Sequence, residues 1–143
     1  MSKPPLFSVV DADELNALFR ALLEAKFRPE IPDTDLPGSC LVVAMIERVF
    51  EAQRNVAQAS GNPTMLANLD TWQKAEQNPL YVAAARERLK ECPTNVWLRW
   101  SREERLFFVR QILSPLRAEQ PLLEELVSVM PGAQPINPPD AAR

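Results

Sequence analysis

Residues 39–63 read SCLVVAMIERVFEAQRNVAQASGNP, and this stretch predicts the longest helix of the chain. Ser39 is a residue type that caps helix N-termini, and Gly61 before Asn62-Pro63 marks the end of one helix and the start of another. Between these signals apolar residues recur every three or four positions, which indicates one helix face turned to a core. They are Val42, Met45, Ile46, Val49, Phe50, Val56 and Ala57. The stretch therefore predicts an amphipathic helix over residues 39–60.

The same periodicity extends along the rest of the chain. It predicts helices at residues 11–27, 63–77 and 79–91, a short helical piece at 94–100, a helix from 101 that Pro115 stops or kinks, and a last helix at 121–130. Asp11 with Glu14 and Ser101 with Glu104 have capping-box spacing, and Asn78-Pro79 has the form of a cap before a first-turn proline. No strand alternation and no hairpin signal stand out. We expect an all-α fold, an irregular single-domain bundle of five to six helices.

Two proline-rich stretches lie outside these helices. Residues 131–143 carry four prolines and no periodic apolar face. Such composition favours disorder, so the expected domain spans 1–130 and the expected disordered tail spans 131–143. Residues 28–38, RPEIPDTDLPG, form the longest connection predicted inside the domain, and long loops within compact domains are often functional.

Composition limits the chemistry more than any motif does. The 143 residues include no histidine, so the side chain best suited to proton transfer near neutral pH and the commonest metal ligand is missing. There is no phosphate-binding glycine loop and no nucleophile motif, and we predict no catalytic residue, no metal and no cofactor. The net charge of −3 argues against nucleic acid as a partner, and no apolar run is long enough to span a membrane.

The two cysteines make no metal or redox motif, because Cys40 and Cys92 lie far apart in sequence. They favour a protein with reduced thiols, and we expect a cytoplasmic location. Cys40 stands near a predicted helix start, which would lower a thiol pKa. Its neighbours Leu41, Val42 and Val43 instead favour a small buried apolar residue.

An acidic loop supplies the first candidate site. Glu30, Asp33 and Asp35 lie within six residues, on a backbone stiffened by prolines. Three interpretations are open: a solvated connector, a contact for a protein partner, or a metal or catalytic site. The loop lacks the ligand spacing of a calcium-binding hand. A stiff acidic loop suits a partner contact, since it loses little entropy on binding and its carboxylates steer basic partners.

A basic segment supplies the alternative site. Residues 81–117 hold eight Arg or Lys against four Glu, a net +4 that leaves −7 for the rest of the chain. Within it, WLRWSR places Trp97 and Trp100 beside Arg99 and Arg102. These four residues would suit a phosphate or acidic partner. The structural interpretation is that tryptophans three apart share a core-facing side while the arginines extend from its edge.

In size, helicity, acidity and the acidic loop EIPDTDL, the chain resembles the small all-helical immunity proteins of bacterial polymorphic and type VI toxin systems. The resemblance implies a cytoplasmic, non-enzymatic protein that occludes the active site of a cognate toxin or effector. Glu30, Asp33 and Asp35 would then face a basic partner. A helical adaptor that binds an acidic protein or phosphate through the tryptophan and arginine segment is the alternative, and a carboxylate- or metal-dependent enzyme is the third. Monomer and homodimer both stay open.

Overall fold

The computed structural model describes residues 3–28 and 36–130, and this part of the chain is all-α, as predicted. Its helices are α1 (Ala12–Phe27), α2 (Cys40–Ala59), α3 (Pro63–Gln73), α4 (Pro79–Lys90), α5 (Thr94–Arg99), α6 (Arg102–Leu113) and α7 (Gln120–Val127). Single 3-10 turns occur at Leu36–Gly38 and Ala75–Gln77. The α-helices number seven rather than five or six in the described residues, since the short piece at 94–99 is a separate helix. Most of the acidic loop and the whole predicted tail lie outside the described residues.

Local signals set most of the helix ends. Asp11, Ser39, Asn62 and Ser101 each accept a hydrogen bond from a first-turn backbone N–H, and Ser101 with Glu104 forms a complete capping box. Gly61 has a φ of 63°, and the Asn62 N–H donates to the Ala57 carbonyl at 3.0 Å. This Schellman ending needs a left-handed residue, which glycine adopts without steric cost.

One predicted cap is wrong. Asn78 makes no side-chain hydrogen bond to the start of α4. Its amide instead donates to the carbonyls of Trp72, at 2.5 Å, and Lys74, at 3.0 Å, at the end of α3. Pro79 has no N–H, so the first turn of α4 has one donor fewer to satisfy, whereas the last carbonyls of α3 have no partners within their helix. The Asn78 amide therefore bonds to α3.

Two clusters of buried side chains form the core. The first joins α1 to α2 through Phe19, Leu23, Phe27, Ile46 and Phe50. The second fills the space between α4, α5, α6 and α7, and its fully buried members include Leu89, Trp97, Val109, Leu113, Leu126 and Met130. Trp72 and Tyr81 pack against both clusters, so the two halves of the bundle share these rings.

The apolar stripe predicted for α2 is wider than the face that the bundle covers. Ile46, Phe50 and Ala57 are buried, but Met45 and Val56 are exposed. Helix spacing identifies an apolar side, whereas the neighbours decide how much of that side is covered. No helix in the described ranges has the length and apolarity needed to cross a membrane.

Candidate functional site

A groove runs along the Leu36–Gly38 turn, at the point where the acidic loop rejoins the bundle. It consists of two adjoining depressions of about 470 and 400 Å³, which share Gly38, Trp100 and Phe108 as lining residues. We call it the aromatic groove and define it by Gly38, Cys40, Trp100, Phe107 and Phe108. Ligand sites are commonly concave surfaces of this kind.

Packing in the second core cluster fixes the aromatic floor. Trp97 is completely buried and lies 6.1 Å, centre to centre, from the ring of Trp100. The Trp100 ring in turn lies 5.1 Å from Phe108. Because tilted contacts at these distances are favourable for aromatic pairs, they hold Trp100 in place at the groove surface.

Phe107 is the most exposed aromatic side chain of the groove, with 58% of its surface accessible. It neighbours Phe108 in α6, and successive residues of a helix point about 100° apart. Since Phe108 packs against the core, Phe107 faces outward. The adjacent phenylalanines are the sequence signal that could have identified this exposed ring, because two successive residues of a helix cannot both face the core.

The smaller depression has an acidic rim. Glu103 and Glu104 line it, and none of its lining residues is a cation. Glu104 Oε2 accepts a 2.6 Å hydrogen bond from the Ser101 N–H and therefore belongs to the cap of α6. Glu103 is exposed and makes no ion pair within the described ranges. The groove thus offers apolar surface beside negative charge, which suits an apolar group flanked by a cation.

The groove also contains both cysteines. Cys40 is exposed, whereas the sequence favoured a buried residue. It is the first residue of α2 and shares the smaller depression with residues of α6. Cys92 is half-buried in the larger depression, and burial raises the pKa of its thiol. Cys40 is therefore the more accessible thiol of the groove.

The three predicted loop residues, Glu30, Asp33 and Asp35, lie outside the described residues, but both ends of their loop are fixed at the groove. At one end the Arg28 carbonyl accepts a 3.2 Å hydrogen bond from Arg88, whose side chain lines the larger depression. At the other end, Pro37 and Gly38 are themselves lining residues.

Only three of the four residues of the alternative patch reach the surface. Trp97 is in the core, with the Arg105 guanidinium 5.3 Å from its ring centre. Arg102 forms an ion pair with Glu124 of α7. Arg99 is exposed and Trp100 belongs to the aromatic groove. The two tryptophans are in contact but differ in exposure, since Trp97 is in the core and Trp100 is at the groove.

No three Asp, Glu or Cys side chains converge on a common point in the part of the chain that the structure describes.

Comparisons with protein-family models, with curated proteins and with solved structures return no match to this chain.

Proposed function

We propose that this chain is a non-enzymatic binding module that inhibits a basic protein partner, as an immunity protein inhibits its toxin. The observation that carries the proposal is the smaller depression of the aromatic groove, where exposed ring surface adjoins two carboxylates and no cation lines the wall. A monomer gains nothing from an exposed phenylalanine, whereas a partner that covers it removes apolar area from water.

Charge and apolar surface have separate roles in this proposal. The carboxylate of Glu103 and those of the acidic loop attract a basic partner and raise the rate of association. Trp100 and Phe107 are the side-chain types that dominate interface energies, and their burial slows dissociation. Under this proposal Glu30, Asp33 and Asp35 also contact the partner, a role supported by the two ends of their loop, which lie at the groove. Occlusion of the partner's active site would make binding inhibitory.

Affinity capture from the source cells tests binding through two substitutions with matched controls. Phe107→Ala removes the exposed ring of the groove, and Phe7→Ala removes an exposed ring of the N-terminal segment. Glu103→Lys reverses a charge at the second residue of α6, and Asp13→Lys does the same at the second residue of α1. Asp13 is about 21 Å along α1 from the end that precedes the loop.

We expect one basic protein to be retained by the parent chain and by both controls. Phe107→Ala and Glu103→Lys should each weaken the complex by about tenfold or more, and added salt should weaken it further. Retention that is equal in all variants would refute the groove as the binding surface. The captured partner's own activity is then measured with equimolar protein. If that activity is unchanged, the inhibitory role is wrong.

Cys40 gives an independent readout of where the partner binds. Because this thiol is exposed within the groove, maleimide labels it in the free protein. In a Cys92→Ser background, bound partner should slow labelling of Cys40 by at least about tenfold, the loss expected when a reagent reaches only the dissociated protein. Unchanged labelling in a saturated complex would place the partner elsewhere on the chain.

A further inference from the structure

A second and larger cleft, of about 1040 Å³, lies between α2 and α6. Phe50, Leu113, Leu116 and Leu123 supply apolar surface to its lining. Its volume is about that of a site for a small organic molecule, and such sites combine apolar surface with polar groups that orient the ligand.

The charged residues of the lining are three acids and four arginines, and the acids already have interactions within the protein. Asp70 forms an ion pair with Arg54, and the charge of Glu51 also acts on that guanidinium. Glu47 accepts a 2.8 Å hydrogen bond from the Ser114 hydroxyl and interacts with the buried ammonium of Lys26.

Three arginines of the lining have no such partner. Arg48 comes from α2, Arg110 from α6 and Arg117 from the segment before α7. None of them forms an ion pair with a residue of the two described ranges. The lining thus holds four arginines against three carboxylates, a formal excess of one positive charge in a protein whose net charge is −3.

We propose that this arginine cleft, which we define by Arg48, Arg110 and Arg117, binds a small organic anion. The apolar body of the ligand packs on the apolar lining, and its carboxylate or phosphate group accepts hydrogen bonds from the arginines. The guanidinium group suits this task because its planar donors match the oxygens of both anions in a bidentate arrangement. The site is separate from the aromatic groove and does not depend on the inhibitor proposal.

Two fluorescent probes test the cleft in the full chain. Anilinonaphthalene sulfonate carries an apolar body with an anionic group, and phenylnaphthylamine is its uncharged counterpart. The test variant is Arg110→Gln with Arg117→Gln. The control is Arg20→Gln with Arg99→Gln, which removes the same charge from two exposed arginines outside the cleft lining. Arg48→Gln gives an independent measurement from a third element, and circular dichroism checks the helix content of each variant.

We expect the cleft variant to weaken binding of the sulfonate by about tenfold or more, because charge-assisted hydrogen bonds are lost. Arg48→Gln should weaken it in the same direction. The control pair should leave it unchanged, and binding of the uncharged probe should be unaltered in the cleft variant, in Arg48→Gln and in the control pair. Equal weakening by the test and control pairs would mean that sulfonate binding depends only on the overall charge of the protein, and this would overturn the proposal. Absence of sulfonate binding would overturn it as well.

Competition identifies the anionic group. Naphthyl phosphate and naphthoate share an apolar body and differ in that group alone. Displacement of the sulfonate by the phosphate alone, or by the carboxylate alone, assigns the natural ligand class, and displacement by both supports a site for either. If neither compound displaces the probe at millimolar concentration, the cleft is not an anion site.

Discussion

Lys26 is a cation in the interior of the protein, with 1% of its surface exposed. Its ammonium group donates hydrogen bonds to the carbonyls of Gln111, at 2.6 Å, and Ser114, at the end of α6. These carbonyls have no partner within their own helix, so the lysine completes a helix end that belongs to another element. Burial lowers the pKa of Lys26 to about 7, and the charge of Glu47 opposes that decrease.

The lowered pKa predicts how stability changes with pH. Between the folded-state pKa near 7 and the ordinary lysine value of 10.5, the unfolded chain binds more protons than the folded chain. The free energy of unfolding should therefore rise from pH 7 toward pH 10, by a few kcal/mol for the Lys26 contribution. The same gain in the free energy of unfolding is lost when the pH is lowered from 10 toward 7. Urea denaturation at a series of pH values measures it.

Lys26→Met isolates the contribution of the buried lysine. The variant keeps a long side chain but has no titrating group, so its stability should not rise over this pH range. Lys74→Met removes an exposed lysine and should retain the rise seen in the parent chain. Parallel pH profiles for the parent chain and Lys26→Met would show that the buried ammonium is not the cause. The sequence alone could not predict this burial, since a lysine in the last turn of a helix is ordinarily a surface residue.

Asn78 directly precedes α4, but its side chain satisfies carbonyl groups at the end of α3. The amide donates to carbonyls of α3 and does not accept from α4, so the interaction needs the NH₂ group. Asn78→Asp removes this donor and places a negative charge beside the same carbonyls. We expect it to lower the free energy of unfolding by about 1–2 kcal/mol, as measured by urea denaturation.

Asn62 provides the matched substitution. Its Oδ1 accepts from the Met65 N–H at 3.0 Å, and an aspartate supplies the same acceptor with a charge favourable at a helix N-terminus. Asn62→Asp should therefore be neutral or slightly stabilising. If Asn78→Asp behaves in the same way, Asn78 acts as the N-cap of α4 and its contacts to α3 contribute little.

Helices were the part of the fold that sequence could predict, because caps and apolar spacing are local. Ser39, Gly61 and Ser101 each act at the helix end where their residue type indicated. Met45 and Val56 were assigned to the wrong environment, since the width of the covered face depends on how the neighbouring helices pack. Local sequence also gives no information on which helix end packs beside Lys26.

The candidate site was predictable in part, for the same reason. The acidic loop and the WLRWSR segment both attracted attention by composition, but only the fold brings the ends of the loop to Trp100. The exposure of Phe107 and Cys40 likewise depends on which faces of α6 and α2 the neighbouring elements leave uncovered. The arginine cleft joins residues from three elements separated in sequence, so no single stretch of the chain indicates it.

At the scale of the whole molecule, Trp72 links the two core clusters. Its ring lies 5.3 Å from Phe19 and 5.7 Å from Phe50 in the first cluster, and it also packs against the second. Trp97, by contrast, belongs to the second cluster alone. Substitution of each tryptophan in turn therefore separates two effects. Both substitutions remove a large side chain, but only that of Trp72 removes a ring that packs against both clusters.

Trp72→Ala should lower the free energy of unfolding by about 3 kcal/mol, the usual effect of truncating a packed aromatic residue, and should also uncouple the clusters. In native-state hydrogen exchange, the amides of α1 and α2 should then lose protection before those of α6. Trp97→Ala should reverse the order, because it removes packing around α6 and leaves the contacts of Phe19 with Phe50 intact. A uniform loss of protection after Trp72→Ala would mean that the two clusters form one cooperative unit. The remaining contacts, such as those of Lys26 and Arg88, would then join the clusters more strongly than the ring of Trp72 does.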